Sequence, residues 1–273
     1  QAYTEGDASV ALDDIVITEV DTDDPQTATL TLADPSAGGL TTGTFGASIS
    51  SYNGATGIWT VTGTVADVNA ALSAVTFTPF SNYDTDTSIT THIEDAVAIG
   101  PTDGTINLNV TAQNDAPTAT NLTQVQAYTE GDASVPLDDI VVTDVDTSET
   151  ITANLTLSNT TAGSLTTGTF GSATSTYNAA TGVWTVSGSV SDVNSALAAV
   201  AFLPGAQNDL NATISTHIED AAGTGPSNGS IALNVTAQSD DPYLIQPIPD
   251  QSAMEDSAFN FSFASGTFGD FDT

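Results

Sequence analysis

The sequence predicts an all-β protein built from tandem β-sandwich domains of the immunoglobulin or cadherin-like kind. The first observation is an internal repeat: residues 1–10, QAYTEGDASV, recur letter for letter at 126–135, and the match continues without a gap at an offset of 125 residues. The second is strand patterning, in which apolar residues alternate with threonine and serine between turns rich in glycine, asparagine and aspartate. An array of like units argues against an enzyme built around one unique site.

The first copy predicts six strands and one helix. The strands are expected near 15–17, 27–32, 57–63, 75–79, 88–93 and 105–110. Within the second of them, Ala28, Leu30 and Leu32 fall on one face, as a half-buried strand requires. The segment Asp67–Ser73 instead carries apolar residues at helical spacing. It predicts a helix of one to two turns that crosses from one sheet to the other, with Asp67 as its N-cap.

The repeat also predicts where the domains begin and end. We expect a first repeat over 1–116, a second over 117–241 and the start of a third over 242–273. The two junctions each end in proline directly after a strand, which leaves little room for a flexible linker. Because the sequence opens inside one repeat and stops inside another, we expect it to be a segment of a longer chain whose secretion and anchoring signals lie elsewhere.

The charge of the chain limits the classes of partner that it can bind. There is no lysine or arginine against 34 aspartate and glutamate residues, which gives a formal net charge of −34. Binding to nucleic acid and electrostatic attachment to an anionic membrane both depend on basic residues, so both are excluded, and no membrane-inserting segment is evident. The chain has no cysteine, hence no disulfides and no thiolate metal site. A metal cation is the expected source of positive charge.

Acidic residues recur at equivalent places in the copies. Glu5 matches Glu130 and Glu255, and Glu94 with the acid after it matches Glu219 with the acid after it. Oxygen-only clusters suit Ca²⁺, which accepts six to eight ligands in flexible geometry, better than Mg²⁺. The predicted metal-binding residues are Glu5, Glu19, Asp21, Asp23, Glu94, Asp95, Asn114, Asp115, Glu130, Asp144, Asp146, Glu219, Asp220, Asp240, Asp241, Glu255, Asp270 and Asp272.

Three motifs appear in order: a glutamate near the start of each unit, Asp-x-Asp after it, and Asn-Asp-Ala-Pro at the junction. This ordered set resembles the cadherin-like tandem repeats of large bacterial calcium-dependent surface adhesins, of the RTX-adhesin type. The resemblance implies that interdomain Ca²⁺ stiffens an extender arm. The first joint would use Glu94, Asp95, Asn114, Asp115, Glu130, Asp144 and Asp146. The second would use Glu219, Asp220, Ser239, Asp240, Asp241, Glu255, Asp270 and Asp272.

This chain departs from the family pattern in three respects. Glu19 replaces the first aspartate of Asp-x-Asp in the first copy, and Ser239 replaces the junction asparagine of the second. The glycine-rich nonapeptide Ca²⁺ repeat of that secretion group is absent from the sequence. These departures bear on the ligand set of each joint and on membership of the RTX group.

Histidine and tryptophan offer alternatives to a purely structural interpretation. His92 and His217 are the only imidazoles and lie a whole repeat apart, so neither a zinc site nor a Ser-His-Asp site is indicated. We expect them to be packed or exposed on a sheet. Trp59 and Trp184 lie in strand patterns and are expected in the core, with sugar stacking as the alternative.

The leading hypothesis is a structural and adhesive segment of a bacterial cell-surface or secreted protein, in which Ca²⁺ rigidifies an extender arm. Its partners would be the neighbouring repeats of the same chain, and it would not be an enzyme. Two alternatives stay open: a self-assembling subunit of an extracellular filament or biofilm matrix fibre, whose partners are other copies of itself, and a unit that binds glycans.

Overall fold

A computed structural model describes residues 1–20 and 24–271. The chain divides into two compact units, unit 1 (Gln1–Asp115) and unit 2 (Ala116–Thr273). Strands dominate both units, and each contains one short helix. The predicted all-β sandwich class is therefore confirmed.

Unit 1 is a sandwich of a six-stranded and a three-stranded sheet. The large sheet has the order β1-β11-β10-β3-β8-β7 and the small one β2-β9-β4. The first strand pairs with the last in parallel, and the other neighbours in these two sheets pair antiparallel. The strands are β1 (Ala2–Thr4), β2 (Val10–Ala11), β3 (Gln26–Leu32), β4 (Gly38–Leu40), β5 (Thr44–Phe45), β6 (Ser48–Ile49), β7 (Ser51–Asn53), β8 (Ile58–Gly63), β9 (Thr76–Pro79), β10 (Thr87–Glu94) and β11 (Gly104–Thr111).

Unit 2 repeats this topology with the sheets β13-β24-β23-β16-β21-β20 and β14-β22-β17. It adds a pair, β12 with β15, in which Thr118 faces Thr143. Its strands are β12 (Thr118–Ala119), β13 (Gln124–Thr129), β14 (Val135–Pro136), β15 (Val142–Thr143), β16 (Ile151–Leu157), β17 (Gly163–Leu165), β18 (Thr169–Phe170), β19 (Ala173–Thr174), β20 (Thr176–Asn178), β21 (Val183–Gly188), β22 (Ala201–Pro204), β23 (Ala212–Glu219), β24 (Gly229–Thr236), β25 (Tyr243–Leu244) and β26 (Phe268–Gly269).

The core of each unit lies between its two sheets and is centred on a tryptophan. Trp184 is fully buried, and its indole N–H donates a hydrogen bond to the Thr166 carbonyl at 2.8 Å. Trp59 makes the same bond to Thr41 at 2.9 Å. The hydrogen bond satisfies the one polar atom that an indole brings into a core. The expected core position of both tryptophans is confirmed.

The helices are α1 (Val65–Ala74) and α2 (Val190–Ala199), each connecting the large sheet to the small one as predicted. They are longer than the expected one to two turns. The N-cap prediction was wrong: Thr64 caps α1, and its hydroxyl accepts the Asp67 N–H at 3.2 Å. Asp67 is instead the third helical residue, where the positive end of the helix dipole stabilises its negatively charged carboxylate. Ser189 caps α2 in the same way.

One predicted strand is missing from unit 1. Residues 15–17 form no strand, although Val142, the counterpart of Ile17 in unit 2, begins β15. The strand in unit 2 exists because β12 supplies its backbone partners, Thr118 and Ala119. The other five predicted strands of unit 1 are present within one or two residues of the expected bounds.

Residues 242–271 carry only the two short strands β25 and β26. Many of their aromatic side chains are exposed, and three of them touch in a row: Phe261, Phe263 and Phe268, with ring centroids 5.2 and 4.9 Å apart. Within residues 1–20 and 24–271, no helix is long and apolar enough to span a membrane.

Candidate metal centre

The identical segments 1–10 and 126–135 each run out of a strand, β1 in unit 1 and β13 in unit 2, into a turn. In unit 2, the Asp132 carboxylate accepts the Thr129 N–H at 2.8 Å, and the Asp132 N–H donates back to the Thr129 carbonyl at 3.0 Å. Gly131 sits inside this turn at φ 85°, in the left-handed region that glycine enters without strain. The Thr-Glu-Gly-Asp sequence is therefore a turn motif with a structural role.

The glutamate of this motif ties the strand before it to the end of a second strand, β1 to β11 in unit 1 and β13 to β24 in unit 2. The Glu130 N–H donates to the Thr236 carbonyl at 3.0 Å, and its Oε2 accepts the Gln238 N–H at 3.0 Å. Glu130 is only 8% exposed. Glu5 makes the two equivalent bonds in unit 1, at 3.0 and 2.9 Å. We refer to this pair of bonds as the glutamate clamp.

The predicted ligands Asp95 and Asp220 close a short loop after their strand. Asp220 is 4% exposed, its Oδ1 accepts the Thr224 N–H at 2.8 Å, and its Oδ2 accepts the Thr224 hydroxyl. Asp95 accepts backbone N–H groups of the corresponding loop at 2.9 Å. Both carboxylates are thus hydrogen-bonded within their own loop.

Strand direction separates the residues expected at the first joint. Glu94 ends β10, whereas Asn114 and Asp115 follow the end of β11, which runs antiparallel to β10. About ten residues at about 3.3 Å each put these two ends of the sheet roughly 30 Å apart. Unit 2 repeats the separation between Glu219 at the end of β23 and the junction residues after β24. Glu130 lies at the β24 end, beside Gln238.

The structure does bring four acids together at the other end of unit 2. Burial, followed by the charges of Asp146, Asp220 and Asp144, raises the pKa of Glu149. Asp144 Oδ1 accepts the Asp146 N–H at 3.0 Å, which bends the chain between the two carboxylates. We call Asp144, Asp146, Glu149 and Asp220 the acid cluster.

Two oxygens of the acid cluster lack partners. Asp144 Oδ2 and Glu149 Oε2 are buried and accept no hydrogen bond from the described part of the chain. A buried carboxylate oxygen without a donor is costly, and a bound cation would relieve that cost. An open groove of about 770 Å³ borders Asp144.

The acid cluster is not a preformed chelate. Over residues 1–20 and 24–271, no three carboxylate or imidazole side chains stand where they would ligate one ion directly. Ca²⁺ coordination at 2.3–2.6 Å would therefore need movement of side chains or added backbone and water oxygens, which Ca²⁺ accepts readily. The residue types fit a hard cation, and the orphaned oxygens indicate where it would bind.

The remaining predicted ligands lie elsewhere. Glu19 is half-buried, and its Oε1 accepts the Val20 N–H at 2.7 Å. Asp240 accepts a hydrogen bond from the Gln207 amide at 3.3 Å. Three predicted ligands fall outside the described residues: Asp21, Asp23 and Asp272. The other three, all exposed, are Asp241, Glu255 and Asp270.

The two histidines lie on the exposed surface of the sheet between acceptors. His92 Nδ1 is 2.7 Å from Asp103 and its Nε2 is 3.4 Å from Glu94. Hydrogen bonds to Asp103 and then to Glu94 raise the pKa of His92. His217 stands between Asn228 at 2.8 Å and Glu219 at 3.2 Å. The acceptors contact opposite nitrogens of each ring, so they do not converge on one ion.

Sequence reasoning missed Glu149. A signal was present, because Asp24 stands 125 residues earlier and keeps an acid at the equivalent position. An alignment of the two copies residue by residue would have pointed to Asp24 and Glu149.

No protein-family model and no curated protein sequence matches the chain. Among solved structures, it is similar to extracellular cadherin domains 1–4 of protocadherin gamma B7, at 11% identity and a TM-score of 0.38, over 92% of this chain and 53% of that one. It is also similar to chicken VE-cadherin domains 1–2, at 14% identity and a TM-score of 0.32, over 86% of this chain and 96% of that one. The titin domains Z1Z2, solved with telethonin, match at 10% identity and a TM-score of 0.31, over 87% of this chain and 92% of that one. The chain spans about half the length of the protocadherin structure.

These likenesses are too distant to support a function. The strands, sheet order and repeated cores define the class of protein without them: a tandem array of β-sandwich units.

Proposed function

We propose that this chain is a structural and adhesive segment of an extracellular repeat protein on a bacterial surface, and that Ca²⁺ binding stiffens it. The observation that carries the proposal is the acid cluster, with two buried carboxylate oxygens that accept no hydrogen bond from residues 1–20 and 24–271. Without a single lysine or arginine, the chain can neutralise such a cluster only with an external cation or a proton.

The ligands we propose for this site are Asp144, Asp146 and Glu149, with Asp220 close by. Both carboxylate oxygens of Asp220 already accept hydrogen bonds from Thr224. We therefore assign Asp220 a negative charge that attracts the cation from nearby, and not direct ligation. We also propose Asn114 and Asp115 as Ca²⁺ ligands, because their side chains offer the oxygen atoms that Ca²⁺ prefers. Glu5 and Glu130 act first as clamps, and their second carboxylate oxygen is the one we assign to metal.

Thermal unfolding in EDTA, in about 5 mM Ca²⁺ and in Mg²⁺ tests the proposal. With a dissociation constant of about 10⁻⁴–10⁻³ M, typical of extracellular modules, one Ca²⁺ that binds only the folded state stabilises it by about 1–2 kcal/mol. A Ca²⁺-specific rise in Tm of several degrees is expected. Equal melting curves in all three solutions would remove Ca²⁺ from the proposal.

A filament or matrix subunit is the second candidate, and the exposed aromatic side chains of residues 243–271 favour it. A row of exposed phenylalanines is a surface that other copies could cover. Sedimentation velocity and negative-stain microscopy separate the two proposals. Thin single rods favour the extender, and thick regular fibres favour the filament.

A further inference from the structure

The helix of each unit carries an asparagine that holds the backbone of a distant segment. Asn194 Oδ1 accepts the Val142 N–H at 2.8 Å, and Asn194 Nδ2 donates to the Val142 carbonyl at 2.9 Å. One amide side chain thus satisfies both polar groups of a backbone residue, as a neighbouring strand would. We call this pair of bonds the asparagine clamp.

Unit 1 contains the same clamp in a different backbone setting. Asn69 makes the two bonds to Ile17 at 2.8 and 2.9 Å. Ile17 belongs to no strand, whereas Val142 lies in β15. The clamp therefore does not depend on the strand pairing around it.

The clamped residue lies two positions before the acid cluster begins. Val142 is fully buried, and Thr143 pairs with Thr118, so the chain is anchored immediately before Asp144. Asp144 Oδ1 then accepts the Asp146 N–H and carries that constraint into the next carboxylate. Asp144 and Asn194 border the same open groove. Motion of the backbone at Val142 would redirect the orphaned oxygen of Asp144.

We propose that Asn194 is a positioning residue for the cation site of unit 2. It contacts no ion; it fixes Val142 so that Asp144 and Asp146 hold their carboxylates toward Glu149. This inference rests on the proposed Ca²⁺ binding of the acid cluster. Residues that orient metal ligands from the second layer typically contribute 10- to 100-fold to metal affinity, so Asn194→Ala should weaken Ca²⁺ binding at this site by about tenfold.

The test is calorimetric titration of the 273-residue chain with Ca²⁺, well below the melting temperature that each variant shows in EDTA. The matched control is Asn159→Ala. Asn159 Oδ1 accepts the Thr161 N–H at 3.0 Å and the Thr161 hydroxyl at 2.7 Å, after the opposite end of β16 from Glu149. Both variants lose two hydrogen bonds and should lower the Tm in EDTA, but only Asn194→Ala should weaken Ca²⁺ binding.

Asp144→Asn completes a double-mutant cycle. If Asn194 acts through Asp144, Asn194→Ala has no further effect on Ca²⁺ binding in the Asp144→Asn background. An equal loss in both backgrounds, or an unchanged affinity in Asn194→Ala alone, overturns the inference and leaves Ca²⁺ binding standing. A parent chain that binds no Ca²⁺ refutes the proposed function itself.

Discussion

Replacing Glu130 with alanine tests whether the glutamate clamp is structural. Its Oε2 is 3.0 Å from the Gln238 nitrogen, and the residue is 8% exposed, so solvent cannot readily take its place. A hydrogen bond to a charged group contributes about 1.5–3 kcal/mol. We expect a loss of about 2 kcal/mol, which for a unit of this size corresponds to a fall in Tm of roughly 4–8 °C.

Differential scanning calorimetry in EDTA measures this loss without any contribution from metal. Glu255 provides a matched control because it occupies the equivalent position of the third copy and is exposed. Glu255→Ala should change the free energy of unfolding by less than about 0.5 kcal/mol. Glu130→Gln keeps an acceptor oxygen in the same shape and should fall between the two.

The reasoning fails if Glu130→Ala and Glu255→Ala melt at the same temperature in EDTA. If they then separate only when Ca²⁺ is added, Glu130 is a ligand first and not a clamp. A parallel loss in Glu5→Ala, confined to the melting of unit 1, would show that the clamp works alike in both copies.

Two further predictions concern titratable groups. Burial and the charges of Asp146, Asp220 and Asp144 raise the pKa of Glu149 in the folded chain. Without metal, ionisation of Glu149 therefore destabilises the fold. The free energy of unfolding falls as the pH rises from about 4.3, the pKa of an unfolded glutamate, through the raised pKa of the folded state. Glu149→Gln should therefore raise the Tm in EDTA at pH 7 and weaken Ca²⁺ binding; a lower Tm in EDTA would contradict this. The raised pKa of His92 gives stability that is fully present below about 6.5 and is lost as the pH rises through the folded value. Asp103→Asn should lower the His92 pKa followed by NMR, and an unchanged titration midpoint would show that Asp103 does not cause the shift.

The long strands were predictable because their pattern is local. In β3, buried and half-buried residues alternate without a break from Gln26 to Leu32, so period two is visible in the sequence. Strands of two or three residues, such as β2 and β4, are too short to show a period. The helix cap is visible in the sequence as a Thr or Ser three residues before Asp67 and before its counterpart Asp192, whereas the prediction places the cap at the aspartate.

The candidate site was predictable in composition but not in arrangement. The repeat at an offset of 125 residues identified Asp144 and Asp146, because acids stand at the equivalent positions of the first copy, Glu19 and Asp21. This agreement can be seen in the sequence alone. Sequence order could not say that Glu94 and Asn114 lie at opposite ends of antiparallel strands. Nor could it find the bond between Asn194 and Val142, which joins positions 52 residues apart and depends on how the helix packs.

Hydrogen bonds stabilise several carboxylates in this chain, which has a net charge of −34 and no lysine or arginine. Backbone and hydroxyl donors take the place of cations: hydrogen bonds from Ser36 lower the pKa of Asp34, and hydrogen bonds from Ser172 lower that of Asp192. Asp220 and Glu130 are buried and bonded to nearby N–H groups. The acid cluster differs because it leaves two buried carboxylate oxygens without a donor in the described part of the chain. A cation at that cluster would supply the partner that hydrogen-bond donors already supply to Asp220 and Glu130.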